Sequence, residues 1–217
     1  MAHAHLTAAP VAQAVNLQVI SRDQGGVDVQ YTTFDTNKPK TYGNTLYVWE
    51  ASGPIIPWSQ PVVASTPIDK DQYLSTQRLK FDYQVSLGYI IGYATASDPN
   101  AICASVFIPP DNGEQDSPHL TISLTTFANN YVKINYNGLA DYNPSINKNW
   151  IGLWNQPRAG YDGNPIAKAD VPYPNSSGSA TIVGTKIVIG ATYTVGYYMA
   201  ALQPGKSSLA AQITFNT

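Results

Sequence analysis

Asn149-Trp150-Ile151-Gly152-Leu153-Trp154 repeats the pattern of Asn44-Thr45-Leu46-Tyr47-Val48-Trp49, which lies 105 positions earlier (149 − 44). Each stretch alternates large apolar side chains with other residues and ends in Trp, the pattern of a strand with one face against a second sheet. The repeat limits the choices sharply. A chain of 217 residues is long enough for one large domain or two of about 100 residues; the repetition selects two copies of one strand-rich plan.

Further strands keep the spacing. Leu17-Gln18-Val19 and Val27-Asp28-Val29-Gln30-Tyr31 flank Gly25-Gly26 and read as a hairpin; Ile122-Ser123-Leu124 and Val132-Lys133-Ile134-Asn135-Tyr136 flank Asn129-Asn130 in the same way. Loops containing Pro and Gly follow the Trp-ending strands, and one residue is lost or gained there, because Tyr89-Ile90-Ile91-Gly92-Tyr93 and Tyr193-Thr194-Val195-Gly196-Tyr197 lie 104 apart (193 − 89). The last strand candidates, residues 102–108 and 209–215, match more loosely. A short helical turn is expected at residues 66–74.

The expected fold is all-β, two tandem immunoglobulin-like β-sandwich domains. Its divisions are a flexible tail at 1–15, a first sandwich at 16–109, a linker at 110–117 and a second sandwich at 118–217. Composition agrees: charged residues are only 12% of the chain, while 15 Tyr, 16 Gly and 16 Pro favour strands and turns.

The second copy resembles fibronectin type III and related immunoglobulin-like domains. The likeness rests on residues 132–136 as second strand, Asn149-Trp150-Ile151-Gly152-Leu153 as third, and Gly190-Ala191-Thr192-Tyr193-Thr194-Val195-Gly196-Tyr197 after the corner. The Trp-Ile-Gly-Leu sequence is also similar to the non-catalytic N-terminal sandwich of plant purple acid phosphatases. The resemblance implies that the Tyr193 hydroxyl ties down a tyrosine corner. The two cysteines of an antibody domain are absent.

A net charge of −2 without basic runs argues against a nucleic-acid partner. No HExxH, GxSxG, CxxC, Walker or GxGxxG motif is present, so no catalytic residue, metal ligand or cofactor is expected and an enzyme is not. His119 reads as a solvated residue at the linker edge and Cys103 as a small apolar core residue. Asp111, Glu114 and Asp116 gather oxygen ligands of the kind that hold Ca²⁺, but the simpler reading is a solvated acidic linker.

The loops after the Trp-ending strands are the candidate binding surface: Trp58 in the first copy, and Tyr161, Asp162 and Asn164 in the second. An exposed aromatic beside amide and carboxylate groups stacks on a sugar ring or serves as a protein hot spot. The sequence therefore predicts a recognition or adhesion protein that binds a glycan or protein ligand through loops or a sheet edge. The alternatives are a structural, self-assembling subunit forming homo-oligomers and an accessory module of a toxin. No membrane span or signal peptide is recognisable, and an extracellular location is favoured.

Overall fold

The fold was taken from a computed structural model, which describes residues 9–161, 164–199 and 208–217 and, within them, all but the side chain of Asn112. Fifteen strands, β1 to β15, are present among the described residues, with only two short 3₁₀ turns, Pro99–Ala101 and Pro110–Asn112. The fold is all-β. The segment expected to make a helical turn holds none: β5 (Ala64–Pro67) ends there and β6 (Leu74–Lys80) begins.

The chain divides into two compact units. The first comprises Val15–His119 with Leu139–Tyr142. One of its sheets has the order β2-β3-β6, from β2 (Asn16–Asp23), β3 (Gly26–Thr32) and β6; the other runs β5-β4-β7-β8, from β5, β4 (Thr45–Glu50), β7 (Tyr89–Ala94) and β8 (Ile102–Ile108). The second unit contains the described residues up to Ala14, Leu120–Gly138 and Asn143–Thr217. It pairs β9 (Thr121–Ala128), β10 (Tyr131–Asn137) and β13 (Ser177–Val183) in the order β13-β10-β9. Its larger sheet takes the order β1-β15-β14-β11-β12, from β1 (Val11–Ala14), β11 (Trp150–Trp154), β12 (Ala167–Asp170), β14 (Thr192–Tyr198) and β15 (Leu209–Asn216).

Each unit packs its two sheets through the same residues, as the repeat requires. Tyr31 of β3 meets Tyr93 of β7 with ring centroids 5.5 Å apart, and Tyr136 of β10 meets Tyr197 of β14 at 5.7 Å. In the first unit the Tyr93 hydroxyl donates to Asn44 Oδ1 at 2.7 Å; in the second Asn149 Nδ2 donates to the Tyr197 hydroxyl at 3.1 Å. Both Asn residues are buried, so the amide satisfies polar groups that would otherwise be stranded in the core. The tyrosine corner forms twice: the Gln84 N–H donates to the Tyr89 hydroxyl at 3.2 Å and the Val188 N–H to that of Tyr193 at 3.0 Å.

Irregularities repeat too. The β2–β3 ladder skips Ile20 and the β10–β9 ladder skips Thr125, again 105 apart (125 − 20). Cys103 and Ala210 are the extra residues in the last strands. Bulges kept at equivalent places bend and twist the strands alike. Gly26, at φ 130°, opens β3 where an added Cβ would lie 2.1 Å from the Leu79 carbonyl oxygen, so only glycine fits.

The tail expected at 1–15 is corrected in its described part, because β1 is a strand of the second unit's larger sheet; residues 1–8 lie outside the described residues. It pairs antiparallel with β15 in the register Val11↔Thr214, Ala12↔Ile213, Gln13↔Gln212 and Ala14↔Ala211. The expected linker is likewise drawn into a ladder. Phe107 and Asp116 exchange backbone hydrogen bonds of 2.7 and 3.3 Å, the Ser105 N–H donates to the Pro118 carbonyl at 2.9 Å, and Ala104 bridges His119. Unpaired N–H and C=O groups on the outer sides of β15 and β8 account for both additions, since an extended segment satisfies them whatever its intrinsic propensity.

Candidate functional site

Main-chain geometry decides what the loops after β4 and β11 can offer. In the second unit the β11–β12 loop folds back across the outer face of its own sheet. The Thr194 hydroxyl donates to the Gln156 carbonyl at 2.8 Å, Tyr198 to the Gly160 carbonyl at 2.8 Å, and the Ala159 N–H to Gln212 Oε1 at 2.9 Å. Gly196 makes room for it, because a Cβ there would meet the Ala159 Cβ at 2.8 Å. The result is that all five β11 residues are buried, and Trp150 stacks on Tyr198 with ring centroids 3.9 Å apart.

This arrangement corrects the expectation of exposed loop aromatics. Tyr161 is buried, with 8% of its surface accessible, so its ring is not presented to a ligand. Asn164 is exposed, and Asp162 lies outside the described residues. Trp58 is half-buried: its ring lies 5.2 Å from that of Tyr142, and its indole N–H donates to the Ala140 carbonyl at 3.0 Å. Among the described residues, surface hollows of about 510 to 570 Å³ are lined by other residues, such as Arg22 and Tyr83, Lys148 and Trp150, and Glu50 and Gln60.

Titratable groups give little that resembles chemistry. Burial pushes the Cys103 thiol well above its usual range, and its S–H points at the Tyr93 carbonyl oxygen at 3.8 Å. Such a thiol is protonated at neutral pH and is a poor nucleophile. Asp71 is held below the usual carboxylate range by hydrogen bonds from the Thr41 hydroxyl and N–H, at 2.7 and 2.9 Å; it fastens a loop. Among the described residues no group of three or more His, Cys, Asp or Glu side chains is placed to hold a metal ion, and Asp116 spends its backbone on the ladder to Phe107.

Sheet edges are more informative. The outer edges formed by β5 and β12 are four residues long and carry Pro67, Lys168 and Asp170, devices that discourage further pairing. β8 and β15 have instead taken an added segment. On β15 a buried side chain helps to set the register: Gln212 accepts from the Ala159 N–H through Oε1 and donates through Nε2 to Gln13 Oε1. β1 itself buries little, and Val11 is 61% exposed. Sequence reasoning missed Gln13 and Gln212 because an edge amide leaves no periodic trace; the offset that places residues 116–119 opposite 11–14 (116 − 11 = 105) was the available signal.

No helix among the described residues is long and apolar enough to cross a membrane. No family model matches the chain, and no curated protein does. Among solved structures, one match is a domain described as "Biofilm associated protein - BSP domain", with 16% identity and a TM-score of 0.27. The alignment covers 94% of this chain and 29% of that one, so the chain spans less than a third of its length. A superposition that loose carries neither fold nor function across.

Proposed function

We propose that the chain is a non-enzymatic recognition or adhesion protein of the cell exterior, built from two fibronectin type III-like sandwiches, that engages an extended segment of a protein partner along a sheet edge. The observation that carries this reading is the strand addition seen twice: β1 on β15, and residues 116–119 on β8. Backbone hydrogen bonds supply the affinity in such pairing and alternate side chains the selectivity. Glycan binding by the loops has less support, since Tyr161 is buried and Trp58 is engaged by Ala140 and Tyr142.

The test compares a strand probe with sugars. The double variant Val11→Pro, Gln13→Pro removes the two β1 N–H groups on the side that faces β15 and should free that edge. The immobilised variant is offered a fluorescent peptide copying residues 9–16, a scrambled peptide and a glycan array. Saturable uptake of the peptide at least about tenfold above the scrambled control is expected. Sugar binding that disappears in the Trp58→Ala, Tyr161→Ala double variant, with no peptide uptake, would replace edge pairing by the loop site.

A further inference from the structure

We infer that the β15 edge is a strand-exchange site whose partner is a second copy of this chain, which supplies its own Val11–Ala14. The inference rests on the edge-pairing reading above and goes further by naming the partner. Val15 alone separates β1 from β2, yet β1 belongs to the second unit and β2 to the first. The same crossing recurs 105 residues on, where Leu120 alone separates His119, which bridges β8 in the first unit, from β9 in the second. Each repeat thus sends its leading segment to the unit that holds the other repeat's last strand.

A segment held in this manner can be supplied from another molecule with no new contact, because the chemistry of the edge is the same whichever chain provides the strand. Two features favour release and recapture at β15. β1 is four residues long with three of them exposed, so it is held by its ladder and the Gln13–Gln212 bond rather than by buried side chains. Once β1 leaves, the Nε2 of Gln212 lacks the acceptor that Gln13 provides. An extended segment with an acceptor at the same register restores that bond, and an identical chain carries one. Within one molecule the linked strand competes strongly, so exchange is a high-concentration event.

The experiment takes the full chain to millimolar concentration through the midpoint of urea unfolding, returns it to buffer, and measures mass by light scattering on a sizing column. A dimer is expected for the wild type and none for the Val11→Pro, Gln13→Pro chain, whose strand has lost the N–H groups that face β15. Gln13→Leu removes one bond from monomer and dimer alike, so the dimer yield should hold while the dimer dissociates about tenfold faster. A wild-type chain that stays monomeric, or a dimer that survives the Val11→Pro, Gln13→Pro double substitution, overturns the exchange. If the Val11→Pro, Gln13→Pro chain nevertheless takes up the peptide, edge recognition stands while self-exchange falls; if it takes up none, both fall.

Discussion

Asn44→Ala is the sharpest test of how the first unit is held together. The side chain makes three hydrogen bonds in the core: Oδ1 accepts from the Tyr93 hydroxyl at 2.7 Å and from Asn37 Nδ2 at 2.9 Å, and Nδ2 donates to the Thr95 carbonyl at 2.7 Å. Asn37 retains its bond to the Thr33 hydroxyl at 2.9 Å, but the Tyr93 hydroxyl is left in the core without this acceptor. Three lost bonds at about 1 kcal/mol each, with a stranded hydroxyl on top, give a loss of about 3 to 4 kcal/mol. For a unit of about 100 residues that lowers the melting temperature on the order of 15 °C. Calorimetry of Asn44→Ala, Tyr93→Phe and the double variant reads it directly. Tyr93→Phe should cost about 1 kcal/mol alone and nothing or less in the Asn44→Ala background, since the stranded group is then gone. An Asn44→Ala loss below about 1 kcal/mol, or an equal cost for Tyr93→Phe in both backgrounds, refutes the reasoning.

Glycine positions provide a paired comparison: Gly26→Ala, whose Cβ would strike the Leu79 carbonyl, should lose about 3 kcal/mol by urea titration. Gly53→Ala, with nothing within 4 Å, should stay within about 0.5 kcal/mol, and equal costs would contradict the stated geometry. Burial raises the phenol pKa of Tyr93 and Tyr198 in the folded chain. Their contribution is therefore intact below about pH 10, where the unfolded phenols begin to ionise, and is lost as pH climbs toward the folded values. Tyrosinate absorbance should show a late class rising together with loss of near-ultraviolet circular dichroism; complete titration with the dichroism intact would contradict it. Cys103, buried and with its thiol pKa pushed up, should resist thiol reagents until the chain unfolds, and rapid labelling of native protein would show the site to be open.

The sequence displayed those features that obey a period. Alternation and the 105-residue offset were enough to place β2, β3, β4, β7 and their partners, and Tyr193 at its corner, because buried faces tolerate few residue types. Tyr89 was harder to recognise, since Phe81-Asp82-Tyr83 differs from the second copy near that corner, yet its hydroxyl takes the same bond. β1 was hidden for the opposite reason. Val-Ala-Gln-Ala has no amphipathic pattern, and its strand exists only because a distant edge needed pairing. The loop residues misled because Pro and Gly signal an irregular backbone without saying which way it turns. Residues 155–161 turn inward, where their carbonyl groups accept from Thr194 and Tyr198, and Tyr161 is covered.

Order of manufacture adds a constraint of its own. β1 leaves the ribosome long before its mate β15, with about 200 residues of chain between them. At about 5 to 20 residues per second the early segment waits roughly 10 to 40 s for that mate. Crowded polysomes are where a nascent neighbour's ready edge competes best for the idle strand.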